Sequence, residues 1–154
     1  MKDQTLPHPI QSDAFVEELA TVLGMPKNPT HAKRILCAFF QTIRARIPPI
    51  ASSVFMAHLP KDLKRTYMDG WNNRFSPKFD YDEFIDALYD SKGMEHRRLF
   101  SSKTQVETSV YAIFEVIKER LTDNQYSAVM ALMPLLLRVN LVTDFIFEGH
   151  SYVS

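Results

Sequence analysis

Residues 105–145 of this chain can be laid over residues 31–71 at a constant offset of 74, and no gap is needed. Ala38 meets Ala112, Phe40 meets Phe114, Ile43 meets Ile117 and Arg46 meets Arg120. Further on, Ser53 meets Ser127, Ala57 meets Ala131, Pro60 meets Pro134 and Leu63 meets Leu137. Similar residues fill many gaps: Leu36 with Val110, Ile47 with Leu121, Leu59 with Met133, Trp71 with Phe145. The matched positions recur every three or four residues, the spacing of one helix face, so the unit repeated is helical. A duplicated helical unit must bury its apolar stripes against its own copy. That accounts for most of the apolar residues without an active site.

Each copy is cut into helices by strong punctuation. Ser12 or Asp13 caps a first helix through Phe15, Val16, Leu19, Val22 and Leu23, and Gly24 supplies its left-handed stop. Asn28-Pro29 opens a second helix that buries Ala32, Leu36, Phe39, Phe40, Ile43 and Ile47, with Lys33, Arg34, Gln41 and Arg44 on its wet side. Pro48-Pro49 opens a third through Ile50, Val54, Phe55 and Ala57, and Pro60 a fourth through Leu63 and Tyr67. In the second copy Asp80 with Glu83 forms a capping box, Gly93 stops that helix, and Thr122 with Gln125 forms another box. Pro134 begins a last helix reaching about Glu148. The reading is therefore all-α: two tandem homologous helical repeats, about four helices each, packed into one globular bundle. Its parts are an N-terminal arm (1–12), repeat 1 (13–71), a linker (72–79), repeat 2 (80–148) and a C-terminal tail (149–154).

Composition narrows the class. A chain of this length buries about 70% of its unfolded surface, enough for a core without staples. The single cysteine, Cys37, rules out an internal disulfide and suits a reducing compartment. The N-terminal MKDQTLPHPIQSD lacks a signal peptide's apolar core, and Pro134 and Arg138 interrupt the apolar run Ala128–Val142, so a cytoplasmic protein with no membrane span is expected. Residues 13–71 carry eight Lys/Arg against five Asp/Glu, and residues 72–154 nine against twelve. Halves of opposite sign attract weakly, within the molecule or between copies.

Most constellations that carry chemistry are missing. The five histidines, His8, His31, His58, His96 and His150, show no zinc-hydrolase spacing, and Glu95-His96 with His150 is the nearest thing to a ligand set. Counted from Asp80, an EF-hand would need Gly and Glu where Ile85 and Ser91 stand. Cys37 lies in the most apolar helix, where a thiol is ordinarily buried and inert, and no serine sits in a glycine elbow. No catalytic residue, cofactor or metal is assigned.

The copies differ most between their first and second helices, Gly24–Asn28 in one and Gly93–Ser101, GMEHRRLFS, in the other. Insertions that a core does not require are where function often settles. Lys61, Lys64 and Arg65 line one helix beside Tyr67 and Trp71, and Glu95, His96, Arg97, Arg98 and Phe100 form a basic and aromatic tip. These residues are the candidate interaction surface. A pI near 7.0 speaks against nucleic acid, whose phosphates demand a basic excess, and favours a solvated helix with its aromatics turned inward. Val129–Leu137 is apolar on every side, which suits either a central helix or one covered by a partner.

The long helix closing on Arg46-Ile47-Pro48-Pro49, Leu59-Pro60, Tyr67 and Gly70-Trp71 resembles an uncharacterised bacterial family catalogued as domain of unknown function 2267. Leu121-Thr122, Met133-Pro134 and Leu135-Leu136-Leu137-Arg138 resemble that family's second half, so the similarity covers about residues 13–145. The resemblance implies a small all-helical two-repeat protein and no catalytic residue. The expected function is a non-catalytic interaction or self-association module. The alternatives are a nucleic-acid-associated protein and a small-ligand binder or enzyme with a cleft between the repeats. That cleft would draw on His31, Arg46, His58, Arg120 or the Gly93–Lys103 segment.

Overall fold

Pro29 fixes the first helical φ of the longest-buried helix, and Asn28 ahead of it accepts the His31 N–H through Oδ1 at 3.2 Å. From that start the computed structural model of the chain builds outward. It describes residues 7–59, 61–70, 79–92, 97–134 and 137–138, and the side chains of all these except 7–13 and 62. Among the described residues the helices are α1 (Pro7–Val22), α2 (Pro29–Arg44), α3 (Pro49–Ala57), α4 (Lys61–Met68), α5 (Tyr81–Tyr89), α6 (Lys103–Glu119) and α7 (Asp123–Leu132). There is no sheet among them, only an isolated antiparallel bridge between Lys92 and Arg98. The fold is all-helical. No described helix is long and apolar enough to cross a membrane.

Helix starts keep the offset of the sequence: 7 and 81 for α1 and α5, 29 and 103 for α2 and α6, 49 and 123 for α3 and α7. The packing has the same pairing. α1 lies on both α2 and α6, α5 lies on both α6 and α2, α2 meets α6, and α3 meets α7. At the centre Phe39 presents its ring edge-on to Phe114 of α6 at 5.6 Å and to Phe84 of α5 at 6.3 Å. Phe40, Phe55 and Tyr67 form a second ring cluster that ties α2 to α3 and α4. Each such buried apolar side chain stabilises the fold by roughly 1.5–3 kcal/mol.

The punctuation largely works as read. Gly24 has φ +79°, Asp80 Oδ1 accepts the Glu83 N–H at 3.1 Å, and Thr122 and Gln125 exchange both bonds of a capping box. Four expectations need correction. α1 starts at Pro7 rather than at Ser12 or Asp13. α5 ends at Tyr89 with Asp90 as its C-cap, before Gly93 is reached. The stretch Val129–Leu137, read as apolar on every side of a helix, is divided at Met133, which turns extended (ψ 150°) ahead of Pro134, where a new start was expected. Val129, Met133 and Leu137 are buried and Ala128 and Ala131 exposed, so this stretch has a core side and an outer side.

The fourth correction concerns which faces are covered. Arg44, read as a wet-side residue, is 8% exposed and donates to the Tyr67 carbonyl, while Tyr67 Oη and Ser52 Oγ share a hydrogen bond of 2.6 Å. Gly70, at φ +72°, lets the chain turn beside that guanidinium, 3.6 Å from where a Cβ would stand. Conversely Val22, Ile50 and Val54, named among the apolar positions of their helices, are exposed. Pro60, Trp71, the linker up to residue 78, the last helix beyond Arg138 and the tail lie outside the described residues.

Candidate functional site

Thr30, Lys33, Arg34, Cys37 and Gln41 recur at intervals of three and four along α2, which puts them on one side of the helix. From Thr30 to Gln41 that side is about 16 Å long at the usual helical rise. Facing it are Ser91, Lys92 and Leu99 from the segment between α5 and α6. An open cleft of about 560 Å³ runs between the two, with Ala38 on the α2 wall. This volume lies within the range of small-molecule pockets, about 300–1,000 Å³.

The second wall is held by a few specific bonds. His31 Nε2 lies 2.9 Å from the Leu99 carbonyl; a carbonyl only accepts, so that nitrogen carries the proton. The Asn28 cap sets the backbone of His31, so one residue pair starts α2 and fixes the segment against it. Lys92 and Arg98 pair across the bridge, and Ser91 Oγ donates to the Ala87 carbonyl at 3.2 Å. Leu99 and Phe100 are buried beneath the segment and anchor it to the core.

Charge in the cleft is one-sided. Lys33, Arg34 and Lys92 line it, and none has an ion-pair partner among the described residues. Thr30 and Gln41 add neutral donors. Cys37 is half-buried in the same wall, where burial raises its thiol pKa, Lys33 opposes the rise and Asp69 adds to it. A neutral thiol is a poor nucleophile. The arrangement supplies positive potential and hydrogen-bond donors to an anion, and its one sulfur is held protonated.

The surface residues named from sequence fall in different places. Lys61 and Arg65 are exposed and Lys64 half-buried on α4, which packs on α1, α2 and α3, while Tyr67 beside them is fully buried. Arg97 is exposed. Arg98 is engaged: its guanidinium lies 4.2 Å over the Tyr89 ring, 3.3 Å from the Tyr89 carbonyl and 3.7 Å from Asp90 Oδ1. Phe100, expected at an aromatic tip, is 3% exposed, because the segment turns its apolar residues down onto the core. Glu95 and His96 lie outside the described residues, as do Trp71 and His150. Among the described residues no group of three or more His, Cys, Asp or Glu could hold a metal ion.

The arginines at corresponding places in the two halves, Arg46 and Arg120, diverge. Arg46 donates to the Thr42 carbonyl at 2.8 Å and satisfies the C-terminal end of α2. Arg120 instead bonds Glu18 and lies 5.0 Å over the Phe15 ring, joining the end of α6 to α1. Neither arginine lines the cleft.

Sequence reading passed over Lys33, Arg34 and Gln41 as a solvated face and did not single out Lys92. A signal was present. Shifted by 74, Lys33 meets Glu107, Arg34 meets Thr108, Cys37 meets Tyr111 and Gln41 meets Glu115. The charge on this side of the helix changes sign between the two halves.

A family model described as Uncharacterized conserved protein (DUF2267) matches residues 12–139. The chain belongs to this family. The match spans both the α2 wall and the segment that faces it, so the cleft lies inside the DUF2267 region. No curated protein matches the chain.

Proposed function

We propose that this DUF2267 protein is a non-catalytic helical binding module and that the cleft along α2 receives an anionic ligand. The observation that carries this reading is the set of three cations, Lys33, Arg34 and Lys92, lining one cleft without a carboxylate partner among the described residues. Clustered like charges repel, and an anion is what relieves them. Binding is favoured over catalysis because the lining offers donors and charge, while Cys37 is protonated rather than activated.

The module is read as two homologous repeats. The shared offset of the helix starts and the paired packing of α1 and α5 on α2 and α6 support this. The cleft then falls between repeats, α2 coming from the first and Leu99 from the second. A reducing bacterial cytosol is the setting that suits a free Cys37.

The test is a thermal-shift series on the full chain with polyanions at low salt, repeated with Lys33→Glu/Arg34→Glu. Anion at a hundredfold excess over its Kd is expected to stabilise the natural chain by about 2.7 kcal/mol, and the charge-reversed variant by nothing. A natural chain whose melting is indifferent to every anion would overturn the reading.

A second reading is self-association through α3, where Ile50 is 77% and Val54 42% exposed one turn apart. Gel filtration with light scattering tests it. A dimer that Ile50→Asp converts to monomer supports it, and a strict monomer removes it.

A further inference from the structure

We propose that the ligand of this cleft is a small aliphatic phosphate monoester, bound once per chain through its phosphate, with no recognition of a nucleotide's base or of a nucleic acid strand. The inference rests on the anion-binding reading above and adds the ligand class and its stoichiometry.

Three features of the lining carry it. The first is the amount of charge. A phosphate monoester bears about −1.5 to −2 at neutral pH, against −1 for a single carboxylate, and its three terminal oxygens take bonds from several donors at once. Lys33, Arg34 and Lys92, with Thr30 and Gln41 beside them, offer that number. Half-buried Arg34 adds a planar fork that meets two phosphate oxygens together.

The second feature is what the walls are made of. Single-stranded nucleic acid and nucleotide bases are held by stacking on aromatic rings. Among the described residues the lining contains no ring at all; its apolar part is Ala38, Leu99 and the carbon stem of Cys37. The nearby rings are engaged elsewhere, Phe100 in the core and Tyr89 under Arg98. Such walls fit a short aliphatic body.

The third feature is the comparison of the two halves. On α6 the positions corresponding to Lys33 and Gln41 are Glu107 and Glu115. Glu107 Oε2 accepts the Tyr81 hydroxyl at 2.9 Å, so this position is tied to α5. On α6 this position is thus used for a bond within the fold, whereas Lys33 on α2 has no ion-pair partner among the described residues. The second half has the wrong charge for the same ligand, and the chain has one site.

Isothermal titration of the full chain at 50 and 150 mM salt tests the proposal, using glycerol 3-phosphate, ribose 5-phosphate, AMP, an oligo-dT ten-mer and a glutamate-rich peptide as probes. Glycerol 3-phosphate is expected to bind one per chain. Arg34→Gln or Lys92→Gln should weaken it about tenfold, and Glu107→Gln should leave it unchanged. AMP should bind within about threefold of ribose 5-phosphate, because the base meets no ring. AMP binding more than about tenfold tighter than ribose 5-phosphate would overturn the aliphatic assignment. So would tight, steeply salt-dependent binding of the oligonucleotide. Binding of the peptide without glycerol 3-phosphate would overturn the phosphate assignment and leave the anion cleft standing. If none of the five probes binds in a way that depends on Arg34, both the ligand class and the anion cleft fall.

Discussion

Replacing Tyr67 by Phe removes one oxygen from a fully buried hydroxyl pair, and its consequences can be worked out across pH. Tyr67 is fully buried against Phe40 and Phe55, its hydroxyl shares a 2.6 Å bond with Ser52 Oγ, and its own carbonyl accepts from Arg44. Near neutral pH the variant keeps the ring packing and loses the hydroxyl bond, which leaves Ser52 Oγ buried without that partner; the expected cost is about 1–3 kcal/mol. At alkaline pH a second effect works in the opposite direction. Burial pushes the Tyr67 phenol up to about 12 from its ordinary 10, with Ser52 and Arg44 pulling only partly back. The folded pKa is raised, so the folded state holds a proton that the unfolded state releases first. Stability from this group is fully present below pH 10 and is lost as pH rises from 10 through 12. The loss amounts to on the order of 2–3 kcal/mol for the natural chain and to none for Tyr67→Phe. The two unfolding free energies should therefore converge across that window, other tyrosines and lysines being common to both. Urea unfolding followed by circular dichroism at pH 8, 10 and 11.5 measures this. Adding Ser52→Ala to Tyr67→Phe should recover part of the neutral-pH loss, since both partners are then absent. A gap that stays constant from pH 8 to 11.5 would refute the claim that this hydroxyl is buried and protonated.

Three further outcomes follow from packing and caps. Phe39→Ala removes the ring that joins α2 to α5 and α6 and should cost about 3–5 kcal/mol in chemical denaturation, the range for emptying a core aromatic site. Thr122→Ala removes the Oγ1 that accepts the Gln125 N–H at the start of α7, leaving the bond from the Thr122 N–H to Gln125 Oε1, and should lower stability by about 1 kcal/mol, while Thr122→Gly should cost only a few tenths. Ser109→Ala should leave stability unchanged or raise it by up to about 1–2 kcal/mol, because Ser109 Oγ is buried with no hydrogen-bond partner among the described residues; a clear loss in melting temperature would show that the hydroxyl is satisfied after all.

Much of the local structure was legible before any coordinates. Asn28-Pro29, Gly24, Asp80 and Thr122…Gln125 act on backbone groups within a few residues, so their effect does not depend on what packs nearby. The buried side of α2 was legible for a related reason, since Leu36, Phe39, Phe40 and Ile43 are too apolar to face water in quantity. Misreadings occurred where identity alone does not fix the environment. Arg44 reads as a surface cation until α4 brings a carbonyl to it, and Ile50 is left exposed on the same short helix that buries Phe55. Phe100 looked like part of a basic tip because Arg97 and Arg98 precede it, yet the segment turns it inward.

The candidate site was hidden for the same reason. Lys33, Arg34 and Gln41 at helical spacing form an ordinary wet face, and nothing in their own neighbourhood places Lys92 opposite them, some 50–60 residues further along the chain. Caps, prolines and apolar spacing are local chemistry, and by themselves they determined that this chain is helical, where most helices start and which residues of α2 seek the interior. Which polar side is buried, which apolar residue is left exposed and which cations share a cleft are matters of distance between segments remote in sequence. Only the packing of α4 beside Arg44, and that of α5, the bridge at Lys92 and the His31–Leu99 bond beside the cleft, decided those.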